Sequence, residues 1–190
     1  MPKKVWIDAG HGGRASGAVS GSRMEKNDTL TFALELNRQF KAQGFATVLT
    51  RSTDKNVTLN ARTSLERRAK CDLAISCHRN AATSPTANGL EVWLHSSAPK
   101  SYIAWASDMA QGIAKTGMAL RAGQGTAGVY KGYRDSPKAN YYANSGTNSP
   151  SCMLELGFMG SDKDNALFDD KYKEMCAGVV KASCRFLGVT

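Results

Sequence analysis

The sequence contains no apolar run approaching the roughly 20 residues that cross a bilayer, which excludes a membrane-spanning helix as its organising element. It has no CxxC pair, and its five cysteines are an odd number, so no thiolate metal site is implied. Cys77, Cys152, Cys176 and Cys184 instead fall in apolar patterns, where a thiol behaves as a small hydrophobe. There is no internal repeat and no linker. Neither a GxGxxG spacing nor a GK[ST] accompanies the glycine-rich stretches, which argues against a nucleotide site. Positive charge is plentiful but not gathered: the net +9 is spread over both halves, a general attraction to polyanions without a nucleic-acid arm. With 190 residues, 42% of them hydrophobic, the chain can fill one core and is too short for two ordinary domains. One domain over 1–190 is expected.

What is present begins at Val5-Trp6-Ile7-Asp8-Ala9-Gly10-His11-Gly12-Gly13, a short apolar run that stops at a histidine between glycines. The pattern predicts a strand whose end exposes His11, with a backbone free to turn sharply and approach a ligand. A Gly/Ser/Ala-rich loop over 14–23 then leads to Glu25. From Glu25 to Gln43 a helix is predicted, with Thr31, Glu35 and Arg38 outward and Leu30, Ala33, Leu34, Leu36 and Phe40 inward. A strand over 45–50 and a helix over 58–70 follow, the helix basic through Arg62, Arg67, Arg68 and Lys70. That cluster reads as a solvated face rather than a polymer-binding patch.

Asp72 to His78 is a strand that again ends at a histidine, and Leu90 to His95 alternates as an edge strand exposed on one face. Pro99 opens a helix that buries Tyr102, Ala106, Met109 and Ile113. Residues 120–150 show little periodicity and read as one long loop, a feature that in compact domains is usually functional. Ser151 to Phe158 is a strand, and Ser161 with Asp164 marks a capping-box start to a last helix. Strands alternating with helices imply an α/β fold: a largely parallel twisted sheet with helices on both faces, and ligands at the carboxyl ends of the strands.

His11 alone could be a turn histidine, and Glu25 alone a favourable dipole partner at a helix start. His78 changes that balance, because two of the three histidines stand at strand ends on one rim, whereas His95 reads as a surface residue. Glu155 lies among Met153, Leu154, Leu156 and Phe158, where a carboxylate needs a metal, a proton or an arginine. Its bland alternative is a structural ion pair. Two imidazoles, a carboxylate and a further glutamate are the parts of a catalytic zinc site. No second buried carboxylate beside Glu155 is evident from the sequence.

These residues resemble a known family, the zinc-dependent N-acetylmuramoyl-L-alanine amidases of the type 3 group. Asp8-Ala9-Gly10-His11-Gly12-Gly13 is similar to its opening motif, followed by Glu25-Lys26, Leu49-Thr50-Arg51, Ser76 to Ala81 and Leu154-Glu155-Leu156-Gly157-Phe158, in order along nearly the whole chain. The resemblance implies Zn2+ held by His11, Glu25 and His78, with Glu155 as the acid/base. It further implies hydrolysis, by a zinc-activated water, of the amide between N-acetylmuramic acid and the L-alanine of the stem peptide in bacterial peptidoglycan. Two departures stand out: Ala9 where the family commonly has proline, and Arg79, a cation expected beside the metal, where it commonly has a small residue.

Peptidoglycan is thus the expected partner, without nucleic acid or membrane insertion. Met1 to Lys4 leads straight into a strand rather than a signal segment, so synthesis in the cytoplasm without a signal peptide is expected. Action on the wall then follows release through another protein's pore, as for a phage endolysin, unless the chain is the catalytic domain of a secreted autolysin. The rival readings are a zinc peptidase of other wall specificity and a non-catalytic wall-binding module.

Overall fold

The computed structural model describes residues 1–133, 136 and 138–189. Its strands are β1 (Lys4–Ala9), β2 (Val19–Ser20), β3 (Arg23–Met24), β4 (Ala46–Leu49), β5 (Leu73–Asn80), β6 (Leu90–Leu94), β7 (Val129–Lys131) and β8 (Ser151–Phe158). Between and after them run α1 (Glu25–Ala42), α2 (Leu59–Ala69), α3 (Lys100–Ala114), the single turn α4 (Tyr142–Ser145) and α5 (Asp162–Leu187). Six strands make one sheet in the order β4-β1-β5-β8-β6-β7, and β2 pairs with β3 in a small separate ribbon. The first four are mutually parallel; β6 runs antiparallel to β8, and β7 parallel to β6. The expected α/β class, a mostly parallel sheet between helices, is the architecture found.

Side-chain alternation divides the sheet into two faces of different chemistry. Val5, Ile7 and Ala9 of β1, Leu73, Ile75 and Cys77 of β5, and Cys152, Leu154 and Leu156 of β8 all enter the apolar core. That core is closed by α1, α3 and α5, whose Phe32, Leu36, Met109, Ile113, Met175 and Val179 are fully buried. The opposite face carries Trp6, Asp8, Ser76, His78, Met153 and Glu155, and is only partly covered, by α2 and α4. Burying most apolar strand residues on one face supplies the main driving force for folding. The other face is left free for polar side chains.

Helix ends follow their sequence signals in part. Thr58 caps α2 by accepting from the Ala61 N–H at 3.2 Å, and Ser161 caps α5 by accepting from the Asp164 N–H at 3.2 Å. Asp164 returns no bond to Ser161. Its carboxylate accepts instead from the N–H groups of Gly89 and Phe158, both at 2.8 Å, pinning the segment before β6 to the end of β8.

Four expectations change. Leu34, expected inward, is 38% exposed, whereas Phe32 is buried. Arg62 is buried, not solvated, while Arg67, Arg68 and Lys70 do face solvent. Strand β6 is interior and buried along its whole length; the three-residue β7 lies at the edge. The stretch expected as one loop over 120–150 holds β7 and α4, and its residues 134, 135 and 137 lie outside those described. No helix among the described residues is long and apolar enough to cross a membrane.

Candidate metal and catalytic site

Where β1 ends, the chain enters a left-handed turn at His11 (φ 58°), a conformation that costs a non-glycine residue about 1–2 kcal/mol. Two buried arginines hold it there. Arg51 donates from Nε to the Ala9 carbonyl (3.0 Å) and from Nη2 to the Gly10 carbonyl (3.0 Å). Arg62 donates from Nη1 to the Ala9 carbonyl (2.6 Å) and from Nη2 to that of His11. Its Nη1 also pairs with Asp8 Oδ1 at 2.6 Å, and Ser76 donates to Asp8 Oδ2 at 2.7 Å. Lys26 and Asp54 take the carbonyl and the N–H of Gly13. The carbonyls of Ala9, Gly10, His11 and Gly13 are thereby all fixed.

So positioned, His11 meets Glu25 at the start of α1 and His78 near the end of β5. Glu25 Oε2 lies 3.1 Å from His11 Nε2, Glu25 Oε1 lies 2.9 Å from His78 Nδ1, and the two rings meet edge-on at 5.0 Å between centroids. Backbone N–H groups of Ala18 (2.8 Å) and Arg79 (3.0 Å) donate to the same carboxylate. Close approach here requires glycine at two places. A Cβ on Gly10 would sit 2.5 Å from the His78 ring, and one on Gly17 would sit 2.5 Å from Glu25 Oε2.

Electrostatics within the cluster are mutual. Burial is the largest influence on Glu25 and pushes its carboxyl up, but hydrogen bonds and charge from His11 and His78 together hold it well below the usual carboxylate range. Burial likewise pushes His78 down, yet Glu25, with a smaller contribution from Glu155, leaves it raised. One donor atom from each of His11, Glu25 and His78 lies within 4.8 Å of the others, close enough for small side-chain movements to bring all three to about 2 Å from one zinc. Two imidazoles and one carboxylate, cradled where glycines leave room, suit zinc.

Glu155 is buried on β8, in register with His78 on one side and with Glu91 of β6 on the other. A second buried carboxylate therefore does stand beside it, contrary to expectation. Glu91 is spoken for: Asn80 Nδ2 (2.9 Å) and Trp93 Nε1 (2.8 Å) donate to it, and the Arg121 guanidinium pairs with it as a counter-charge, Nε lying 2.7 Å from Oε1. His11, Glu25, His78 and Glu155 line one cavity of about 660 Å³, floored by Trp6, Ser76 and Met153 and walled by α2 and the segment around α4.

Arg79 does not present its cation to this cavity. Its side chain is fully buried toward α1 and α5, bonded to Asp28 (2.6 Å) and Asn165 (2.6 Å) and lying 4.5 Å over the Phe168 ring. Asp28 also takes Arg23, so one network ties the first turn of α1 to β3, β5 and α5. His95, as expected, stays outside the site. Roles for Asp8, Arg51, Arg62 and Glu91 had not been assigned from sequence, although the polar positions alternating with core residues along β1, β5 and β6 do point to one face.

A family model described as N-acetylmuramoyl-L-alanine amidase matches residues 5–183. Among curated proteins, the chain is 31% identical over 172 residues to the probable cell wall amidase LytH of Staphylococcus epidermidis, covering 89% of this chain and 52% of that protein. It thus spans about half the length of the curated relatives it matches. Among solved structures, it is similar to the catalytic domain of CwlV, an N-acetylmuramoyl-L-alanine amidase from Bacillus (Paenibacillus) polymyxa var. colistinus, at 30% identity and TM-score 0.84, covering 99% of both chains. The N-acetylmuramoyl-L-alanine amidase AmiC2 of Nostoc punctiforme is 28% identical with TM-score 0.83, covering 98% of this chain and 97% of that one.

Proposed function

The chain belongs to the N-acetylmuramoyl-L-alanine amidase family, and on that premise we propose that it hydrolyses the amide joining N-acetylmuramic acid to the stem-peptide L-alanine of bacterial peptidoglycan. The observation that carries this reading is the His11–Glu25–His78 cluster with Glu155 next to it in one cavity. His11, Glu25 and His78 are the residues that would hold zinc. When bound, zinc supplies a Lewis acid that brings the pKa of water toward about 7 and polarises a carbonyl.

The protein's own groups do the rest. Glu155 takes a proton from the attacking water and returns one to the leaving amine. The C–N bond breaks, the lactyl side leaves as a carboxylate and the peptide side as a free amine. Hydrogen bonds from Ala18 and Arg79 keep the Glu25 carboxylate oriented between the two imidazoles, a supporting shell of the kind that fixes ligand geometry. Its site of action on this reading is the cell wall.

Digestion of purified peptidoglycan tests the bond. Amide cleavage yields new L-alanine amino termini and no new reducing sugar ends. Termini arising within the stem or cross-bridge would make the protein a zinc peptidase instead, and intact sacculi with bound protein would make it a wall-binding module.

A further inference from the structure

Six large apolar side chains are exposed among the described residues, and three of them, Leu59, Tyr133 and Tyr142, border the same cavity. That concentration marks the α2/α4 side of the mouth as a contact surface. The rings there are braced rather than loose. Tyr133 packs on Tyr141 at 4.6 Å, Tyr141 meets Trp93 edge-on at 5.3 Å, and Trp93 stacks on Tyr130 at 4.8 Å, a ladder of aromatics from the sheet edge to the mouth. Tyr142 is fixed by its hydroxyl, which donates to Asn60 Oδ1 at 2.7 Å.

We propose that Tyr133 and Tyr142 form a platform for an N-acetylhexosamine ring of the glycan strand, next to the sugar whose lactyl amide is cut. The inference rests on the amidase reading and adds which part of the substrate lies where. A glycan continues in both directions from the reacting sugar, so it cannot enter the buried floor at Trp6 and Met153 and must lie across the mouth. The peptide is a branch with an end, which the interior can admit. Half-exposed rings suit a sugar, whose apolar C–H face covers a ring while its hydroxyls stay in water.

Calorimetric titration with glycan strands stripped of their peptides, and separately with free stem peptide, tests the assignment. Tyr133→Ala and Tyr142→Ala should each weaken glycan binding roughly three- to tenfold, Tyr133→Phe should retain it, and peptide affinity should not move. Both rings are surface residues, and a melting curve for each variant checks that the fold persists. Unchanged glycan affinity in the alanine variants overturns the proposal, as does a loss confined to the peptide, which would make the platform a peptide subsite. Failure of wild-type protein to bind glycan overturns it equally. Because binding needs no turnover, tyrosine-dependent glycan binding without amidase activity would reject the proposed reaction and leave this platform standing.

Discussion

Replacing Arg62 by methionine should destabilise the protein by about 3–5 kcal/mol, the usual cost of removing one partner from a buried ion pair. Asp8 and Arg62 have side chains only 5% and 6% exposed, so water cannot take over the lost contacts. Asp8 would keep the Ser76 hydroxyl alone, and the His11 carbonyl would lose its guanidinium donor. Against a typical total of about 5–15 kcal/mol, that loss is a large share. For a chain of this size it corresponds to a fall in melting temperature of roughly 6–20 °C. The assay is urea and thermal unfolding at matched zinc concentration, since bound metal adds its own stabilisation. Asp8→Asn combined with Arg62→Met should recover part of the loss, because the uncompensated charge is gone; the cycle isolates the pair. A single-variant loss below about 1 kcal/mol would show that the pair is solvated and refute the clamp.

Purified without chelator, the protein should carry one zinc per chain, and His78→Ala should lose metal and activity together; full occupancy in that variant would remove His78 from the ligand set. Glu155→Gln should keep metal and fold but lose about 10²–10⁴-fold in turnover, as removal of a general base does, and a near wild-type rate would reassign the base. All five cysteines are free, and burial raises each thiol pKa, that of Cys71 to about 11. A thiolate of Cys71 therefore appears only as pH climbs toward that value, so native protein should label slowly with iodoacetamide at pH 7–8 and show five fast thiols once unfolded. Rapid native labelling of any one would contradict that burial.

His11 and His78 were legible as a pair, because an apolar run halting at Gly-His-Gly and a second apolar run leading to the other histidine point to one rim of the sheet, and Glu155 was legible because a carboxylate in Met-Leu-Glu-Leu needs a purpose. The arginines were not. Arg62 shares its helix with exposed Arg67 and Arg68, and composition cannot tell a guanidinium that reaches Asp8 from one that reaches solvent. Arg79 misled for the opposite reason: its neighbour His78 faces the cavity, and strand alternation sends Arg79 the other way, to Asp28. Glu91 escaped notice because its closeness to Glu155 depends on the antiparallel register of β6 with β8, which no local pattern records.

Strand β6 shows why the polar face was misjudged as a solvent face. Glu91 and Trp93 alternate with Leu90, Val92 and Leu94 as they would on an exposed edge, and sequence offers no difference between water and a polar interior. The structure supplies it: Tyr130 and Tyr141 pack on Trp93, and Asn144 donates to the Trp93 carbonyl at 2.9 Å, so residues from the aperiodic stretch roof that face. The same alternation that fills the core on one side thus places Asp8, Ser76, His78, Glu91 and Glu155 on the other. A one-residue slip of β5 against β8 would turn His78 into the apolar core and Arg79 into the cavity. Cores tolerate such a charge poorly, so the burial of Ile75 and Cys77 beside Cys152 and Leu154 is also what keeps His78 level with Glu155.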